Sequence, residues 1–375
     1  MRRRAIAVLI ITGLRGLAAA QPDGSGAPDA PTPDPIVVPE TNPTPVQPVT
    51  PQLVTHPPQP AGKTPWLDLS PDQLQLALAE SHHSQERNIA APITLAAFYA
   101  TFITFTYYAW YRKHKPLSQY KFGGDGWLGD ETYAGGEDKF GHAWSTMVAA
   151  RIGTEMLTQW GNYDRTKSIL ISTALAEALF VGVEVKDGFF YEFSFSDLAG
   201  DTAGALLAMA FSFYPRLDEM FDFRVQYFPS SAYYNQVAGD KGPLGGRLNI
   251  AEDYSGQTYF FAYHLGSIKS LREMKYGTLA RFVDVAVGFD TRGYKPTPAT
   301  GPLPPDEHHQ NLFLGVSFNA QGFFDWMFDK PTQHDTLRKA LHATFDVFNL
   351  PFTGVGIPGL GIDHSPSKPV AMDGA

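Results

Sequence analysis

Between Asn88 and Tyr214 the chain carries four apolar, helix-like runs. From about Asp222 onward the hydrophobic period switches to two. Helices grouped on one side of the sequence and strands on the other predict an α+β fold rather than alternating βαβ units. The specific expectation is a four-helix, membrane-associated bundle followed by a small antiparallel β-sheet.

The first run, from about Asn88 to Arg112, has an uncharged core from Ile89 to Tyr111, 23 residues by count and long enough to span a bilayer. Arg87 flanks one end. Arg112, Lys113 and Lys115 flank the other, beside the interfacial aromatics Tyr107, Tyr108, Trp110 and Tyr111. The second run (about Asp138 to Trp160) is broken by Arg151 and Glu155, which can pair at spacing four. The third (about Thr166 to Val185) and fourth (about Asp197 to Tyr214) have lengths at which membrane spans and core helices overlap. In the fourth, Gly200 and Gly204 form a small-xxx-small pair that permits close helix approach.

In the β region, Tyr259, Phe261, Tyr263 and Leu265 fall on one face. So do Val283, Val285, Val287 and Phe289, and so do Leu312, Leu314, Val316 and Phe318. The pattern predicts three to five strands of a half-buried sheet, too few for an outer-membrane barrel. Residues 295–309 read as a long loop.

The N-terminus, "MRRRAIAVLIITGLRGLAAAQPDG", has the basic start, short apolar stretch and small residues of a secretory signal peptide, with cleavage expected before Gln21. The following proline-rich stretch reads as an extended tether able to reach on the order of 100 Å at about 3 Å per residue. The expected division is signal peptide 1–20, proline-rich linker 21–66, helical bundle 67–220, antiparallel β region 221–362 and flexible tail 363–375. No cysteine is present, which excludes thiolate metal sites and, in this reading, an N-terminal lipid anchor. A net charge of −9 argues against nucleic acid as the partner.

Two stretches carry ionisable residues into the apolar runs. "EDKFGHAW" puts Asp138 and His142 four apart, and "SDLAGDTAGA" does the same for Asp197 and Asp201. Glu177 and Glu184 share a face of the third helix, and Asp187 is placed in the loop after it. If these faces converge, one pocket gathers several carboxylates and an imidazole. Such a set can bind a divalent metal, support general acid–base chemistry at His142, or share a proton between carboxylates. The bland alternative is that Asp138 and Asp197, or Ser196 in its place, are N-caps. His142, Asp201, Glu177 and Glu184 are not explained that way. "SHHS" (81–84) and "DEHH" (306–309) read as solvated loops.

The segments "GGDGWLGDETYAGGEDKFGHAW", "EVKDGFFYEFSFSDLAGDTAGALLA" and "EDYSGQTYFFAYHL" resemble the YfiM-like family of predicted periplasmic or outer-membrane lipoproteins of unknown function. The family's motif falls here on Asp138, Lys139, His142, Glu184, Asp187, Gly188, Phe195, Ser196, Asp197 and Gly204. The DKxxH element is also loosely similar to VanZ-like membrane proteins. Asp201 stands where the resemblance suggests Asn, and the lipoprotein cysteine is missing. The resemblance implies an exported, membrane-associated protein of the cell envelope and no particular activity.

The leading expectation is therefore an envelope protein with a structural or binding role, touching membrane lipid and another envelope protein. The alternative is a metal-assisted hydrolase of lipid or lipid-linked phosphate that uses His142, Asp138, Glu184, Asp187, Asp197 and Asp201, with a divalent metal as the candidate cofactor.

Overall fold

The structure, a computed structural model, describes residues 86–112, 114–123, 126–129, 132–230, 251, 253–294, 308–328 and 335–364. The expected signal peptide, the proline-rich linker, "SHHS" and most of the loop and tail lie outside the described residues.

The fold is α+β. Helix α1 (Ala90–Thr106) runs into a π-helical turn, Tyr107–Tyr111. Helix α2 (Glu137–Glu155) likewise ends in a π turn, Met156–Trp160. Helices α3 (Arg165–Phe190), α4 (Phe195–Phe213) and α5 (Pro215–Met220) follow. Two short strands, β1 (Phe122–Gly123) and β2 (Phe193–Ser194), pair in parallel beside them.

The four long helices are not an even bundle. Helices α2, α3 and α4 pack closely together. Helix α1 touches them along one edge, through Leu95 against Met156 and Leu157 and through Phe102 against Phe180 (5.6 Å between rings). Close packing of α2 on α4 depends on the two glycines singled out in the sequence. A Cβ at Gly204 would lie 2.0 Å from the Ala143 carbonyl oxygen, and one at Gly200 2.7 Å from that of Lys139.

Helix α3 runs five residues beyond its expected end at Val185, which places Asp187 on the helix rather than in a loop. Gly188 and Phe189 carbonyls accept from Lys121 N and Leu117 N of the returning chain, and the Tyr120 ring packs over Gly188. A tertiary contact thus satisfies helix-end carbonyls that the local sequence leaves open.

The sheet is larger than the three to five strands expected. Six strands pair in the order β7-β3-β4-β5-β6-β8: β3 (Phe221–Tyr227), β4 (Gln257–His264), β5 (Val283–Arg292), β6 (His309–Phe318), β7 (Phe348–Asn349) and β8 (Gly354–His364). All neighbours are antiparallel except β3 and β7. Helices α6 (Ala320–Met327) and α7 (Asp335–Phe345) lie between β6 and β7 in the chain. The register sets Tyr259 opposite Phe289, Phe261 opposite Val287, and Val287 opposite Leu314, so the expected apolar positions share one face. Leu265 falls outside, in the turn after β4. Phe223, Val225 and Tyr259 on that face join Met147, Ala150, Phe180, Ala208 and Phe211 of the helices in one core.

Away from the helices the expected sidedness is reversed: Phe261, Val287, Leu312 and Leu314 of the apolar face are exposed, and the opposite face is the buried one. Phe260, Ala262, Ala286, Arg224 and Asp284 are all fully buried there. The sheet curls back on this face. A Cβ at Gly354 of β8 would lie 2.5 Å from the Phe260 ring on β4, three strands away, and Arg224 of β3 reaches Ser317 of β6. Small residues at Ala262, Ala286, Gly288, Gly315 and Gly354 leave room for the curvature.

Candidate functional site

The helix that opens the site begins differently from expectation. Its N-cap is Gly136, held at φ 80°, a left-handed conformation that glycine adopts without penalty. Asp138 lies past the cap and is buried. Helix α4 is capped by Ser194, whose Oγ accepts from Asp197 N at 3.2 Å, not by Ser196 or Asp197. Freed from capping, Asp138 and Asp197 do something else. Both grip the buried ammonium of Lys139, at 2.8 and 2.9 Å. Lys139 thereby ties α2 to α4, a role that period and spacing gave no reason to assign it.

One turn deeper, His142 Nδ1 lies 3.0 Å from Asp201 Oδ1 and 3.7 Å from Glu184 Oε1. Asp201 is fully buried and also accepts from Thr146 Oγ1 at 2.9 Å. Glu184 is equally enclosed, and its Oε2 accepts from Ser194 N at 3.2 Å. Three helices therefore each contribute one group: α2 His142, α3 Glu184, α4 Asp201. Among the described residues these are one group of three metal-capable side chains, with ligand atoms all within 4.8 Å of one another.

Charge follows from this geometry. Burial by itself lowers the His142 pKa, but the Asp201, Asp197 and Glu184 carboxylates overcome it and raise the imidazole to about 10. Burial lifts the Glu184 carboxyl to about 8, against the attraction of His142 and with repulsion from Asp197, Asp187 and Asp201. Asp187, one turn after Glu184 on α3, is raised by burial to about 6, while Tyr111 and His142 favour its charged form. Tyr111 of the first helix is in turn pushed well above the ordinary phenol value by burial and by Asp187.

The structure thus brings together His142, Glu184 and Asp201, with Asp138 and Asp197 alongside through Lys139, and Asp187 next to Tyr111. Glu177 is not part of the group. It accepts from Thr202 Oγ1 at 2.6 Å on an exposed edge between α3 and α4. Arg151 does not need Glu155: it bonds Asp218 after α4 and Asp346 before β7. Of the "DEHH" stretch, His308 stacks on Tyr294 and His309 opens β6.

Two polar groupings escaped the sequence reading. Glu137, next to Asp138, is fully buried and accepts from Thr291 N of β5 at 3.0 Å. Inside the curled sheet, His264 bridges Asp222 (Nε2, 2.9 Å) and Asp284 (Nδ1, 3.0 Å), and Arg224 bonds Asp284. The available signal for this second set was the run of charged residues at alternate strand positions: Asp222 and Arg224, then Asp284.

Residues 124–213 match one family model. The family is described as a predicted periplasmic lipoprotein (DUF2279). The match covers about a quarter of the chain, namely α2, α3 and α4 with the segment leading into them, and so includes every residue of the polar cluster. No curated protein and no solved structure matches the chain.

Proposed function

We propose that this is an exported, envelope-associated protein that rests against a lipid surface through the outward faces of α1 and α3, with the polar cluster as a binding site behind that face. The description of the matching family and the signal-like N-terminus support the location. One observation carries the lipid contact. Leu170, Ile171, Leu175, Val185 and Phe189 recur at helical spacing on α3, and all are exposed. Ile89, Ile93 and Ile103 do the same along α1.

The two helices meet where Phe102 packs on Phe180, and each is long and apolar enough to cross a membrane. Only 22% of the most apolar window around α1 and 39% of that in α3 are buried. Exposed aliphatic side chains recurring along two long helices are more than a soluble surface usually leaves open to water. One end of the patch carries Tyr107 and Tyr108, with Arg112 over the Tyr108 ring and Lys186 over Tyr111 at 4.0 Å. Aromatic and basic groups in that arrangement suit a headgroup layer. The inner side of α3 carries Glu184 against His142 of α2 and Ser194 at the start of α4, and Asp187 against Tyr111; buried carboxyls of this kind favour lying on the lipid over crossing it.

The test is flotation of the full chain with phosphatidylethanolamine–phosphatidylglycerol vesicles. Ile171 and Leu175 are 51% and 43% exposed, so replacing both with Asp leaves the core intact. Losing half-burial of two aliphatic side chains costs about 2 kcal/mol, roughly thirtyfold in partition. Wild type should rise with the vesicles and the I171D/L175D variant should stay below. A wild-type protein that remains in the vesicle-free fraction, or a variant that floats as well, refutes the lipid contact.

A further inference from the structure

We propose that His142, Glu184 and Asp201 form a binding site for one divalent transition-metal cation of the Zn²⁺ or Mn²⁺ type. The ligand set is one imidazole nitrogen and two carboxylates, borderline donors that suit such ions better than Ca²⁺ or Mg²⁺, which take oxygen alone. The three groups already converge. Ligands about 2.0–2.2 Å from an ion stand roughly 3.0–3.5 Å from one another; His142 Nδ1 is 3.0 Å from Asp201 Oδ1 and 3.7 Å from Glu184 Oε1, and all three ligand atoms lie within 4.8 Å, so a side-chain adjustment of about 1 Å closes the set on an ion.

Two further observations point to a cation rather than to a self-contained network. Glu184 Oε1 and Asp201 Oδ2 are enclosed by protein yet accept no hydrogen bond, although Glu184 and Asp201 are 1% and 0% exposed. Buried carboxylate oxygens are normally satisfied, and leaving one bare is costly. The buried ammonium beside the cluster is also committed elsewhere: Lys139 is held by Asp138 and Asp197, and it bonds neither of these two oxygens. A divalent ion supplies a partner for both.

Supporting groups are in place. Thr146 Oγ1 bonds Asp201 and Ser194 N bonds Glu184, each fixing a carboxylate through the oxygen next to the one left bare. Each ligand comes from a different helix, so the ion would join α2, α3 and α4 where Gly200 and Gly204 bring α2 and α4 together. This inference rests on the reading of the polar cluster as a binding site and names its ligand; it does not depend on the lipid contact, which flotation tests separately.

The experiment is calorimetric titration of chelator-treated full chain with Zn²⁺ and with Mn²⁺, alongside metal analysis of the purified protein. Wild type should take up one equivalent. His142→Ala and Asp201→Asn should each weaken binding more than about 100-fold, beyond the roughly 10–100-fold lost when an outer partner is removed. Thr146→Val should fall in that lower range, and Glu177→Gln should bind as wild type. Absence of stoichiometric binding to wild type, or unchanged binding in both ligand variants, overturns the proposal. If the ligand variants do not fold, Mn²⁺ added to the wild-type protein decides. Selective broadening of the His142 ring resonances supports the site, and their persistence at one equivalent refutes it.

Discussion

Replacing Asp284 with Asn tests whether the curled sheet is held by its internal charges. Asp284 is fully buried on β5 and receives three donors: Arg224 from β3, His264 Nδ1 at 3.0 Å and Asn319 Nδ2 at 2.8 Å. Asn preserves the shape and removes the charge. Arg224, itself without exposure, then keeps the Ser317 hydroxyl at 3.3 Å and, as its remaining ion pair, Asp222, whose oxygen stands 3.8 Å from Nη1. Breaking a buried pair from one side costs about 3–5 kcal/mol. For a folded unit of this size that corresponds to a drop of roughly 6–20 °C in Tm.

The same substitution has a pH signature. Burial lowers the His264 pKa, but Asp222 and Asp284 outweigh burial and raise it to about 10, while burial of Asp222 is outweighed by His264 and Arg224, which lower its pKa. A raised histidine contributes stability that is fully present below its unfolded value near 6.5 and is lost as pH climbs toward 10. Removing one of its two carboxylates shrinks that contribution. The gap between wild type and Asp284→Asn should therefore be widest near pH 6 and narrow toward pH 10. It should not close, because Arg224 stays charged. Urea unfolding of both proteins in mild detergent, followed by circular dichroism at pH 6, 8 and 9.5, reads this directly. A difference under about 1 kcal/mol at pH 6, or one that does not change with pH, refutes the reasoning.

Helix contact gives a second comparison. Gly204→Ala drives a methyl group into the Ala143 carbonyl and should destabilise by about 3 kcal/mol, the upper end of overpacking costs. Gly182→Ala on α3 meets nothing within 4 Å and should instead stabilise by about 0.5–1 kcal/mol; equal thermal shifts for the two would contradict the packing described. Trp144→Phe removes the indole N–H bond to the Val347 carbonyl (2.8 Å) that links α2 to the segment entering β7. It should cost about 1–2 kcal/mol in the same urea assay, and an unchanged midpoint would show that the bond contributes nothing.

The order of helices and strands was legible because amphipathic period and β alternation are local properties. So was the shared face of Tyr259, Phe261, Val285, Val287, Phe289, Leu312 and Leu314, since parity along a strand survives whatever the sheet does. The candidates Asp138, His142, Glu184, Asp187, Asp197 and Asp201 were visible as charges set among apolar residues. Capping was the wrong explanation for Asp138 and Asp197. It weighs only a residue's own helix start, and the decisive partner, Lys139, ties Asp138 to the far helix that carries Asp197.

Local order therefore specifies which segments are helical or extended, which strand positions share a face, and which charges sit where charge is expensive. Which of those charges meet is set by the packing of distant segments: His142 with Asp201 across 59 residues, and Arg224 with Asp284 across 60. That packing also makes the second face of the sheet interior. A strand's alternation specifies two faces but not the curvature that buries one of them, and curvature arises from contacts between strands that are not neighbours in the chain. Glu177 and Glu184 make the same point on a single helix. Seven residues apart, they lie on nearby faces of α3, yet one meets Thr202 at the surface and the other closes the polar cluster, because the neighbouring helix, not the spacing, sets the environment.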